Sequence, residues 1–161
     1  MFNAYYVLKY FHIISSLLMV GTGFGSALYV FIANRSGNLQ AQYFANRTVV
    51  FLDWVITTPT VIIQPVTGIM LAHVMKMSLL SDWFLNIYLM YIIVGAAWLP
   101  VVWLQVRMKQ MTDQAVHNNE PLNPKYKCYQ RTWEILGYIG FSGAMIIFFL
   151  MVTKMPLIHL S

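Results

Sequence analysis

The distribution of charge along the chain decides what it can fold into. Four long runs contain no Asp, Glu, Lys or Arg: Tyr10–Asn34 (25 residues), Trp54–Met75 (22), Trp83–Val106 (24) and Ile135–Thr153 (19). A helix that crosses the hydrocarbon core of a bilayer needs about 20 mostly apolar residues. Inside lipid every backbone polar group must be satisfied internally, which a single segment achieves only as a helix. The runs therefore predict an all-α, integral membrane four-helix bundle that forms one domain over residues 1–161, with helices at about 5–33, 52–76, 83–111 and 132–154. Only 9% of the residues are charged, against about 25% in a soluble domain. Disorder is excluded as well, because it requires low hydrophobicity and high charge.

The cations set the orientation. Arg35, Arg47, Arg107, Lys109, Lys125, Lys127 and Arg131 fall in the segments joining helices one to two and three to four. Those two segments share one side of a four-span protein. Lys9, Lys76 and Lys154 fall towards the other. The positive-inside rule places the seven-cation side in the cytoplasm and both termini on the non-cytoplasmic side. The net charge of +5 is then topological, and no nucleic-acid partner is needed to account for it. The lipid bilayer is the expected partner, with anionic headgroups near the basic side.

Within the spans, two histidines stand out. His12 lies early in helix one and His73 late in helix two, so both are expected at similar depth in the outer half of the membrane. Ionisable side chains in that position are costly, and their default reading is functional. Neutral imidazole is a common metal ligand, and two histidines on neighbouring helices suit the axial positions of a b-type haem. At about 100° per residue, Ser15, Ser16, Met19, Gly23 and Ser26 share the face of His12. Met19 is about 10 Å along the axis from His12, too far for both to bind one iron. On helix two, Asp53, Thr57, Thr60, Gln64 and Thr67 form a polar stripe. His73 falls about 160° from the centre of that stripe on an ideal helix, although Pro59 and Pro65 offer a way to rotate the phase. The alternative for either histidine is an interfacial side chain bonded to a carbonyl or to water. His117 and His159 read as a loop and a tail residue.

Helix one also carries a track of small residues (Ser15, Ser16, Gly21, Gly23, Gly25, Ser26, Ala27), and helix four another (Gly137, Gly140, Gly143, Ala144). Small residues let membrane helices approach closely; the other reading is a flat surface for a cofactor. Trp54, Trp103 and Trp133 are expected near the basic interface and Trp83 near the opposite one, as an aromatic belt. The segment Arg35–Asp53 reads as a connector with helical character around Leu39–Asn46.

A polar cluster is expected at the basic side: Asp53, Gln105, Arg107, Arg35 and Glu134, with ion pairs Asp53–Arg107 or Glu134–Arg. Acids at helix starts and cations at helix ends also suit the helix dipole without any function. The functional reading is a site for an anionic headgroup, a quinone head or proton entry. Gln64 should sit near mid-membrane beside Pro65 and needs a polar partner there. Neither a nucleophile elbow, a phosphate loop nor HExxH is present. The sequons at Asn34 and Asn46 fall on the inside face and read as chance.

Several stretches resemble a widespread, functionally uncharacterised family of bacterial four-helix integral membrane proteins: Leu8-Lys9-Tyr10-Phe11-His12-Ile13-Ile14, Gly21-Thr22-Gly23-Phe24-Gly25, Ala33-Asn34-Arg35, Asp53-Trp54, Pro59, Gln64-Pro65-Val66-Thr67-Gly68, His73, and Trp98 through Arg107. More distantly the chain is similar to the copper-resistance protein D superfamily, which includes the HemJ-type protoporphyrinogen oxidases. Lys9-Tyr10-Phe11-His12, the Pro and Gly of helix two, and Val152-Thr153-Lys154-Met155-Pro156 carry that likeness. It implies a bacterial inner-membrane location and His12 as a ligand of haem b. HemJ-type proteins carry a lysine and a histidine in helix three. Leu85–Pro100 has neither, a departure that bears on porphyrinogen oxidation.

The leading expectation is a b-type haem protein with an electron-transfer role or a haem-dependent oxidoreductase activity. His12 and His73 would serve the iron, Met19, Gly23 and Gln64 would line the site, and a quinone or redox partner would complete the reaction. The alternatives are a small transporter or metal-handling protein using His12, Met19, Met70, His73 and Met75, and an accessory subunit of a membrane complex or homo-oligomer.

Overall fold

The structure is a computed structural model that describes residues 3–158; His159 lies outside the described residues. Helix α1 spans Ala4–Ser36, capped at its start by the Asn3 side chain and closed by Gly37 at φ 65°. Helix α2 follows at once, over Leu39–Leu52, its first amides bonded to the Asn38 side chain. It runs through a π-helical turn, Asp53–Thr57, into α3, Thr58–Val74. Helix α4 covers Asp82–Asn118 and α5 covers Lys125–Thr153. Among the described residues, four helical rods are long and apolar enough to cross a membrane, with α2, the π turn and α3 forming the second.

Each rod reaches further at the basic end than its charge-free run. The second begins at Leu39 rather than near residue 52, because Asn38 is a capping residue and Gly37 takes the left-handed conformation that stops α1. The expected connector is therefore helix. Helix α4 runs to Asn118, which puts His117 in its last turn rather than in a loop. The charge-free runs measure what lipid tolerates, not where helical hydrogen bonding ends.

Leu17, Phe24, Ile32, Ile62, Val66, Ile92, Leu99, Ile139 and Phe149 are exposed on the outer surface. Thr60, Thr67, Asp53, Asn86 and Gln105 are buried inside. A soluble protein places these classes the other way round, and lipid accounts for the inversion.

At the basic end, Val30 and Ala33 of α1, Ala45 and Val49 of α2, Val101, Leu104 and Met108 of α4, and Tyr126 and Trp133 of α5 form one core. Trp133 is therefore a core residue, not a member of the aromatic belt; its ring is buried, whereas Trp54 and Trp103 are exposed. Towards the termini the bundle resolves into two pairs, α1 on α3 and α4 on α5. Between them, Phe24 and Phe141 meet at 5.2 Å between ring centroids.

The prolines are accommodated locally. Pro65 has no N–H for the Val61 carbonyl one turn earlier. The Tyr91 hydroxyl of α4 donates to that carbonyl instead. The π turn ends just before Pro59, where the widened spacing relieves the clash between a proline ring and the preceding turn.

Candidate functional site

The polar stripe of the second span faces α1, and the hydroxyls of Thr60 and Thr67 have definite partners. Thr60 Oγ1 donates to the carbonyls of Ile56 (2.9 Å) or Thr57 (2.8 Å). Thr67 Oγ1 donates to Ile63 O at 2.7 Å. On α1, Ser15 Oγ donates to His12 O and Ser26 Oγ to Gly23 O, both at 3.1 Å. All four residues are buried. Hydroxyls that bond back to their own helix spend their single hydrogen there. What they present across the seam is oxygen lone pairs.

His12 sits at one end of this seam. Its Nδ1 lies 2.8 Å from Thr67 Oγ1. With the Thr67 hydrogen given to Ile63 O, Nδ1 is assigned as the donor and the neutral ring as the Nδ1–H tautomer, its lone pair on Nε2. Gly68 makes the approach available: a Cβ there would lie 3.3 Å from His12 Cε1. Gln64 finds the partners its depth requires, donating from Nε2 to His12 O (2.7 Å) and Ser15 Oγ (2.6 Å). His12, Gln64 and Thr67 thus form one unit that the sequence reading assembled only in part.

His73 is on the exposed surface of α3. It follows Gly68 by five residues, about 7.5 Å further along and about 140° around the helix. The ideal-helix phase was the right guide here. Neither proline rotates it, because the one irregular turn, Asp53–Thr57, lies before both. Met19 and Gly23 are half-buried on α1. A Cβ at Gly21, Gly23, Gly25, Gly137 or Gly140 would meet nothing within 4 Å, whereas one at Gly143 would lie 2.5 Å from Val94 Cγ2. The glycine tracks therefore act as close-packing surfaces at Gly143 and not along their length. Among the described residues, no three His, Cys, Asp or Glu side chains converge in a group that could hold a metal ion.

The expected polar cluster at the basic side divides into three. Asp53 is 5% exposed, faces Thr57 and Gln105, and lies close enough to Tyr29 to act on it electrostatically. Arg35 pairs with Glu134 at 3.6 Å across α1 and α5 and stacks on Phe31. Arg107 turns outward to Gln110 and the Trp103 ring rather than to Asp53. Beside them is a network that sequence reasoning missed. The Tyr126 hydroxyl donates to Asn34 Oδ1 and accepts from Asn46 Nδ2, both at 2.7 Å. Asn34 and Asn46 are the sequon asparagines, and their role is to tie α1, α2 and α5 together.

No curated protein and no solved structure matches the chain. The helical fold and its membrane-length spans nevertheless agree with the description of one family, predicted integral membrane proteins of the DUF2269 type, whose model matches residues 6–155. The chain belongs to that family.

Proposed function

We propose that this protein moves protons across the membrane along the seam between α1 and the second span. The observation that carries the reading is the row of buried Asp53, Thr57, Thr60 and Thr67 with half-buried Gln64 among them, which ends on His12. From Asp53 to Thr67 it runs about 20 Å at the rise of a helix, most of a hydrocarbon core about 30 Å thick. Its two ends carry groups that exchange protons. Between them the committed hydroxyls offer lone pairs, the surface that orders donor water. Intramembrane carboxylates and histidines mark such relays. The positive-inside rule turns the Asp53 end to the cytoplasm of a bacterial inner membrane.

The test is proton flux into liposomes that carry the purified chain and an internal pH dye, driven by a potassium diffusion potential. Flux well above protein-free vesicles is expected, with at least about a tenfold loss in His12→Ala and Asp53→Asn, the scale of losing one positioned proton-transfer group. Glu134→Gln, on the surface ion pair, should leave the flux unchanged. Flux no faster than in empty vesicles overturns the reading.

A second reading is favoured by the tautomer of His12. A ring whose Nδ1–H is held by a neighbouring acceptor presents Nε2 as a ligand, the arrangement in which metal-binding histidines are held. Haem b on His12, in keeping with the resemblance of Lys9-Tyr10-Phe11-His12 to HemJ-type proteins, would then serve electron transfer. His73 is too far around the helix to complete a pair with it in this conformation. A Soret band that is lost in His12→Ala supports this reading; no band after reconstitution with haem excludes it.

A further inference from the structure

The basic end of the seam holds a cluster of buried polar groups that are incompletely hydrogen-bonded. Asp53, Thr57 and Gln105 are each 5% exposed. Gln105 Oε1 and the neighbouring Tyr29 hydroxyl have no hydrogen-bond partner among the described residues, and the Thr57 hydroxyl has none besides the Asp53 carboxyl. Buried polar atoms without partners are rare in native proteins and call for a missing species. Its character follows from the groups. An ionised carboxylate and an amide oxygen only accept hydrogen bonds, so the missing species is a donor or a cation. The ion pairs of the described residues are Arg35–Glu134, Arg47–Asp113 and Lys109–Asp113, and none of them brings a basic side chain to Asp53.

The backbone adds to the case. Asp53 and Thr57 are the first and last residues of the π turn. Such turns are rare and recur at functional sites. The turn brings a carboxylate and a hydroxyl of one helix to the same side, opposite Gln105 of α4.

We propose that Asp53, Thr57 and Gln105, with the Tyr29 hydroxyl beside them, bind a small alkali-metal cation. A carboxylate, a hydroxyl, a phenol and an amide carbonyl are hard oxygen donors of the kind that hold alkali and alkaline-earth ions. One carboxylate balances one positive charge. A divalent ion would leave a buried charge uncompensated, at high cost. The inference adds a second ion to the proposed proton route and places it at that route's carboxylate end.

The experiment is thermal unfolding of the detergent-purified full chain in lithium, sodium or potassium chloride, against choline chloride at equal ionic strength. A saturable rise in Tm that distinguishes the alkali ions from choline is expected. In Asp53→Asn the rise should vanish. In Thr57→Val, which keeps the shape and removes one donor, half-saturation should move up by at least about threefold, the scale of one lost polar contact. Equal Tm in all four salts overturns the proposal. So does a cation response that survives both substitutions, or a rise produced by lowering the pH in choline alone, which assigns the cluster to a protonated carboxyl. Flux and binding separate the two proposals. Proton flux without cation binding removes only this site, and cation binding without flux removes only the proton route.

Discussion

At the basic end, one tyrosine is hydrogen-bonded to two other helices, and apolar side chains from all four spans close around it. At the terminal end the spans part into α1–α3 and α4–α5, each pair with its own polar contacts. Gln64 and Thr67 hold α1, while the Trp83 indole N–H donates to Leu150 O at 2.6 Å on α5. Across the pairs lie the Phe24–Phe141 contact and the Tyr91–Val61 bond. In lipid no hydrophobic drive holds helices together, so packing and hydrogen bonds must do it. The basic end has both in every direction. The terminal end has them chiefly within pairs, and separating the pairs there breaks little. The seam opens towards the half of the molecule that resists movement least.

The largest effect should come from attacking one pair directly. Gly143→Leu forces a side chain where even a Cβ would lie 2.5 Å from Val94 Cγ2. Overpacking of this kind costs about 3 kcal/mol. Gly140→Leu, one turn away with nothing within 4 Å of its Cβ position, should stay within about 0.5 kcal/mol. Reversible unfolding in mixed detergent and SDS micelles measures both. Equal losses at the two glycines would mean that α4–α5 packing is not localised at Val94.

Tyr126→Phe tests the other end. It keeps the buried ring and leaves Asn34 Oδ1 without its donor. A loss of about 2 kcal/mol is expected, the cost of orphaning a buried polar group. A silent substitution would reduce the basic end to apolar packing alone, and the contrast between the halves would weaken.

The link between the pairs is worth less, and its origin can be isolated. Tyr91→Phe should cost about 1 kcal/mol by removing the donor to the Val61 carbonyl. Pro65→Ala restores the backbone N–H that Val61 lacks. In the Pro65→Ala background, Tyr91→Phe should therefore lose most of its effect, a coupling that a double-mutant cycle reads directly. Additive losses would show that Tyr91 acts by packing.

Charge-free runs were enough to find the four spans, because lipid penalises charge wherever a chain crosses it. The stripe from Asp53 to Thr67 was legible from helical spacing alone, and so was the opposite placement of His73. Three features were not. Arg47 interrupts the apolar pattern of α2, yet a helix continues through it, because beyond the lipid only capping residues stop a helix. The Asn34–Tyr126–Asn46 network joins residues up to 92 positions apart, and no local pattern encodes such a meeting. Nothing in the local sequence sets Tyr91 apart from the other aromatics of its span. Its role was written elsewhere, in the carbonyl that Pro65 leaves free, and it becomes visible only when each proline is asked which acceptor it abandons.

That question of abandoned partners also sets the smallest stability effect and its value as a probe. Thr67→Val preserves volume and removes the oxygen that receives His12 Nδ1–H. Polar contacts between membrane helices average about 0.6 kcal/mol, and a loss of this size is expected by unfolding in mixed micelles. The fold at the terminal end survives it, because Gln64 still holds His12 O and Ser15 Oγ. The tautomer of His12 does not, since either ring nitrogen is then free to carry the hydrogen. Proton flux should fall severalfold, far more than a stability loss of that size accounts for. A flux reduced only in proportion to the folded fraction would make Thr67 a structural contact, and would leave the two ends of the bundle differing in cohesion alone.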